Sequence, residues 1–195
     1  MPRLAYQRIH ELATEQFGVF TTAQAKAAGV DHRALAMMCR RGTLERQAHG
    51  VYQDLLVPTN RFTHYMLAAL WPVEVPAVLS HETALDLFEI SDVNPGKIHI
   101  TVPKHFRIRR KVPEQYVVHH ADLTPTEITS IEGLPVTTAA RAIRDCHATH
   151  LGPALLRQAI DEGRRLGWIT ARDQQALATE LFPGEAPAGA ARQDP

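Results

Sequence analysis

The segment over residues 17–52, FGVFTTAQAKAAGVDHRALAMMCRRGTLERQAHGVY, constrains the fold more than any other stretch of the chain. Thr21 and Thr22 are of the type that caps a helix start, here ahead of a short helix over about 23–28. Gly29 supplies the tight turn that follows, because glycine enters a left-handed conformation without a Cβ clash. Asp31 can cap a second helix running to about Arg41, where Gly42 stops it. Val30, Ala34, Leu35 and Met38 recur at helical spacing and are expected in the core. His32, Arg33, Ala36, Met37, Arg40 and Arg41 are left on the outer face. Residues 44–47 and 51–53 flank Ala48, His49 and Gly50, which predicts a hairpin with glycine at its turn. The order is that of a helix-turn-helix with a wing. A helix with outward basic residues, followed by a hairpin bearing Arg46 and His49, suits major-groove docking with a backbone-contacting wing. On this reading Lys26, Arg40, Arg41 and Arg46 meet phosphates, while His32, Arg33, Ala36 and Met37 face base edges. The same residues also suit a structural or protein-docking helix pair, since the basic excess from Lys26 to Arg46 is modest.

With 195 residues, the chain can bury one large core or two small ones. Its formal net charge of zero argues against a generic polyanion binder. The charge is unevenly spread: residues 1–60 and 61–112 each carry 7 Lys+Arg against 5 Asp+Glu, whereas residues 113–195 carry 7 against 11. That asymmetry fits a nucleic-acid end and a separate partner-facing end. Cys39 and Cys146 are far apart and outside any CxxC, so neither a disulfide scaffold nor a thiolate zinc site is expected, and a reducing cytoplasm is. No signal-peptide pattern and no membrane span is expected.

Beyond the wing, Pro58 marks a change of unit. A first helix is expected over 3–17, with Leu4, Ile9, Leu12 and Phe17 among its buried residues. The second unit reads as mixed α and β: a helix over 61–71, a helix from His81 capped by Ser80, strands over 97–102 and 115–120, a hairpin about Glu132-Gly133, and helices over about 139–147, 153–166 and 171–181. The fold class is therefore α+β, with a winged helix over 1–58, a second domain over 59–182 that ends in helices, and a Pro/Gly-rich disordered tail over 183–195.

Lys104, Arg107, Arg109, Arg110 and Lys111 form a second basic cluster with no acid among them. Alternation would put Arg107 and Arg109 on one side and Ile108 and Arg110 on the other. Such a cluster could grip phosphate, and a solvated hairpin tip explains it equally well. Eleven histidines invite a metal reading, but HExxH is absent after His81-Glu82, and adjacent His119 and His120 on a strand must point to opposite faces. Structural histidines are the expectation, with no metal and no cofactor. No P-loop, GxGxxG or GxSxG is present, and no catalytic site emerges.

The run FGVFTTAQAKAAGV…LAMMCRRGTLERQAHGVYQ resembles the N-terminal winged helix of AbiEi-type antitoxins. LSHETALDLFEI, NPGKIHITVP, RIRRK, YVVHHADL and IEGLPVTTAARAIRD are similar to successive blocks of the antitoxin domain of that family, and together the blocks span about residues 15–145. The resemblance implies a type IV antitoxin that neutralises a nucleotidyltransferase-like toxin and represses its own operon by binding promoter repeats. It places Arg33, Arg40, Arg41 and Arg46 in the DNA-reading unit and residues 104–111 in the antitoxin domain. ARAIRDC departs from the more apolar run relatives carry there. The rival readings are a winged-helix regulator without a toxin and a cryptic nuclease-related enzyme.

Overall fold

The computed structural model describes residues 2–183. The expected disordered tail lies outside them, Pro183 excepted. The N-terminal unit begins with α1 (Pro2–Thr14) and a strand the sequence pattern did not reveal, β1 (Val19–Thr21). Thr21 then caps α2 (Thr22–Ala27) through a reciprocal box with Gln24, and Asp31 caps α3 (His32–Arg40) by accepting from the Ala34 amide at 2.8 Å. Gly29 and Gly42 take the positive φ values, 79° and 71°, that the two turns require. The wing is β2 (Leu44–Ala48) and β3 (Val51–Asp54), with a bulge between Arg46 and Ala48.

β3 lies between β1 and β2, antiparallel to both. Because side chains alternate along a strand, this small sheet feeds two cores. Phe20 of β1 faces Tyr52 of β3, their rings stacked at 5.8 Å, in a core shared with Ile9, Val30, Leu35 and Met38. Val19 and Val51 point the other way, into a larger core with Met66, Trp71 and Leu79. Two details of the first helix differ from expectation. Leu4 is exposed, and Phe17 lies beyond the helix at φ 54°, half-buried against Phe62.

The second unit comprises α4 (Thr63–Leu70), β4 (Val78–Leu79), α5 (His81–Leu87), β5 (Ile98–Val102), β6 (Tyr116–His120), β7 (Ile128–Ile131), β8 (Leu134–Thr137), α6 (Ala139–Ala148), α7 (Pro153–Arg165) and α8 (Ala171–Leu181). The sheet order is β6-β5-β4-β8-β7. β4, only two residues long, was not legible from alternation, yet it is the central strand. The β7–β8 hairpin turns on Glu132 and Gly133, both at positive φ, as a two-residue hairpin needs. β5 and β6 are parallel, and parallel neighbours need a crossover of about a dozen residues or more. Residues 103–115 are that crossover. The basic cluster therefore lies on a crossover and not on a hairpin tip.

Two polar anchors fix the units. Asp54, fully buried at the end of β3, accepts from the Tyr6 hydroxyl at 3.0 and 3.1 Å and from the Leu56 amide at 3.0 Å, and lies 2.7 Å from His10 Nδ1. Burial, and then the Asp54 carboxylate, push the Tyr6 phenol up to about 12. In the second unit Arg141 of α6 bridges Glu127 at 2.6 Å and Asp145 at 2.8 Å. The backbone N–H of Thr124, then Arg141, hold Glu127 down at about 2. Asp145 moves upward because its deeper burial outweighs the same guanidinium.

Asp54→Ala leaves the Tyr6 hydroxyl, His10 and the Leu56 amide without their shared acceptor and should cost about 1–3 kcal/mol in chemical denaturation. Glu127 is more acidic folded than its ordinary 4.5, so its contribution is complete above that pH and lost as pH falls toward about 2. Glu127→Gln should lower stability at neutral pH and remove that part of the acid sensitivity, measured by denaturant titrations from neutral to strongly acidic pH.

Candidate nucleic-acid interface

α3 presents two faces set by its 100° angular step per residue. Leu35 and Met38 are buried, so the direction opposite them belongs to Arg33 and Arg40. These two arginines are seven residues apart, which is about 10 Å along the axis. Met37 and Arg41 lean toward α1 and line an open groove of about 770 Å³ with Leu4, Arg8, Asp31 and Arg33. His32 and Ala36 lean the opposite way. Of the nine residues singled out for DNA contact, Lys26, His32, Arg33, Met37, Arg40, Arg41, Arg46 and His49 are exposed, and Ala36 is half-buried.

The wing tip is ordered by its own side chains. Arg46 Nη2 lies 2.9 Å from His49 Nδ1, and Arg46 Nε donates to the Ala48 carbonyl at 3.3 Å. Glu45 lies on the same hairpin, where Gln47 donates to it at 3.1 Å, so the wing is not uniformly basic.

The second basic cluster reaches this tip. Lys104, Arg107, Arg109 and Lys111 are exposed, but Arg110 is folded inward. Its guanidinium donates to the His49 carbonyl at 3.0 Å and to the Trp71 and Pro72 carbonyls at 2.5 and 2.7 Å, and sits 4.9 Å over the Trp71 ring. Arg110 thus clamps the crossover to both the wing and the end of α4. The expected alternation is seen, with Arg107 and Arg109 outward and Ile108 and Arg110 inward, although the segment is not a strand. Arg110 thus differs from the other four cations of the cluster: three carbonyl oxygens compensate its partial burial. No sequence signal distinguished it from its neighbours, because its partners lie 38 to 61 residues away. Arg109 shares a cleft of about 290 Å³ with His49 and Trp71.

Residues 7–53 match the family model described as "Transcriptional regulator, AbiEi antitoxin". The match runs from α1 to the last but one residue of β3, the whole helix-turn-helix and wing. The resemblance read from the sequence is thus supported for the N-terminal unit. A crystal structure of the RV2827C protein from Mycobacterium tuberculosis shares the fold at a TM-score of 0.50 and 17% identity, covering 92% of this chain and 72% of that one. A comparison with curated proteins gives no match. Among the described residues, no helix is long and apolar enough to cross a membrane.

Arg110→Ser removes charge-assisted bonds to three carbonyls and should cost about 1.5–3 kcal/mol. Arg107→Ser and Arg109→Ser should each shift stability by less than about 0.5 kcal/mol. Thermal or denaturant unfolding of the three single variants tests the contrast.

Proposed function

We propose that this protein is a non-enzymatic, cytoplasmic antitoxin that represses its own operon through double-stranded promoter DNA and counters a nucleotidyltransferase-like toxin. The placement of Arg33 and Arg40 on the outermost line of α3, beside a preformed wing carrying Arg46 and His49, carries this reading. α3 enters the major groove. Arg33, His32, Ala36 and Met37 face base edges, and Lys26, Arg40, Arg41 and Arg46 take phosphates. The wing lies along the backbone, and the exposed cations of residues 104–111 continue the same track because Arg110 moors their segment to the wing tip. Residues 1–58 carry DNA reading and residues 59–182 carry the antitoxin activity.

Fluorescence anisotropy on promoter and scrambled duplexes tests the DNA half. Arg33→Ala should relax specificity by about 1–3 kcal/mol. Arg40→Ala or Arg46→Ala should weaken both duplexes alike and reduce the salt slope by about 1. Equal binding to both duplexes by the unaltered protein at every salt concentration would refute specific reading. Co-expression with an adjacent nucleotidyltransferase-like gene, scored for growth, tests the antitoxin half; a protein that binds its promoter but rescues no growth is a regulator only.

A further inference from the structure

Three histidines far apart in the chain converge at one side of the five-stranded sheet. His81 opens α5, His99 lies on β5 and His119 on β6, and one ring nitrogen from each lies within 4.8 Å of the others. The sheet register explains two of them. Thr101 sits opposite His119 in the parallel β5–β6 pair, and His99 is two residues from Thr101, so both imidazoles share a face. His81 is brought over that face by α5, whose first turn is stitched to β5 twice. The Ser80 amide donates to the His99 carbonyl at 3.0 Å, and the His99 amide donates to Thr83 Oγ1 at 2.9 Å. The His81 backbone adopts φ 53°, a left-handed conformation that side-chain-bearing residues avoid. Ser80 does not cap the helix as its type suggested. Its Oγ lies 2.9 Å from His81 Nδ1 and accepts from Thr101 Oγ1 at 2.8 Å, all three residues being buried.

We propose that His81, His99 and His119 bind one divalent late first-row transition metal, with Zn2+ as the best fit, leaving one coordination position for water or a small anion. The donor set decides the class: three imidazoles without carboxylate or thiolate suit zinc, copper or nickel and not the oxygen-seeking magnesium or calcium. His99 Nδ1 and His119 Nε2 are already 3.1 Å apart, close to the spacing of about 3.4 Å that two ligands about 2.0–2.1 Å from a tetrahedral ion adopt. The His81 and His119 rings stack at 3.5 Å, so an ion shared by all three imidazoles requires the His119 ring to turn out of that stack. Ser80 plays the outer-sphere part: with the Nδ1–H of His81 donated to its hydroxyl, Nε2 keeps the lone pair for the ion. Arg141, a cation that acts on His81, is already paired with Glu127 and Asp145. A bound ion ties the start of α5 to β5 and to the edge strand β6, at the end of the basic crossover.

The test uses the full chain, stripped of metal with a chelator. Zn2+ is titrated in competition with a chromophoric chelator, and Co2+ binding is followed by visible absorption. The expected result is one equivalent bound, with the d–d bands of a nitrogen-ligated four- or five-coordinate ion, and a Zn2+-dependent rise in melting temperature. His99→Asn or His119→Asn should each weaken binding by more than about 100-fold, and Ser80→Ala by about 10–100-fold. His147→Ala and His150→Ala, both exposed and distant in sequence from the cluster, should leave it unchanged. Failure of the unaltered protein to give Co2+ bands overturns the proposal without reference to any variant. Equal affinity in a folded His99→Asn/His119→Asn protein overturns it as well, by placing the metal elsewhere.

Discussion

The alternation of side chains across β1 and β3 is the constraint on which the molecule depends. Phe20 and Tyr52 go to one side, Val19 and Val51 to the other, and each pair is withdrawn from water. A surface hairpin normally keeps one face wet. Here both faces are covered, the first by α1, α2 and α3 and the second by α4 and the larger core. The helix-turn-helix is therefore not a bead on a string. Its orientation follows from a sheet that belongs to both cores, and a one-residue slip in β1 would invert both at once.

Electrostatics refine this arrangement. Asp54 closes the same sheet at the base by gathering Tyr6 and the Leu56 amide, and Arg110 closes it at the tip by gathering the carbonyl of His49. Asp54 is a charge taken out of water and Arg110 a half-buried one, and both are surrounded by polar partners as burial demands. The remaining cations of the crossover stay outside, so a segment made long by the handedness and parallel pairing of β5 and β6 becomes a charged rim beside the wing.

Much of this was legible in the chain itself. Helix starts at Thr21 and Asp31 follow from side-chain oxygens placed three residues before an amide, a purely local relation. The wing and the Glu132-Gly133 hairpin follow from glycine next to alternating strands. The outward set on α3 follows from helical spacing alone. What escaped is long-range. β1 and β4, at three and two residues, are too short to show a period, and they are strands only because neighbours pair with them. Arg110 looked like Arg109 until Trp71 and His49 were brought to it. The histidine cluster is long-range in the same way: no spacing within one element marks it, because His81, His99 and His119 meet across three. Ser80 looked like a cap and is spent on an imidazole instead. Leu4 was expected inside because an amphipathic pattern marks a face, and it lies over the open groove beside α3.

The shared sheet has a consequence for how this helix-turn-helix can be reused. The segment matching the family model carries Val19 and Val51 on a face it cannot cover by itself. Transplanted to another protein, it would arrive with an apolar window and would need its new host to furnish a shutter equivalent to Met66 and Trp71. Altering the outer line of α3 is then independent of the sheet behind it, because the portable piece is a helix surface and the non-portable piece is the wall that Val19 and Val51 pack against.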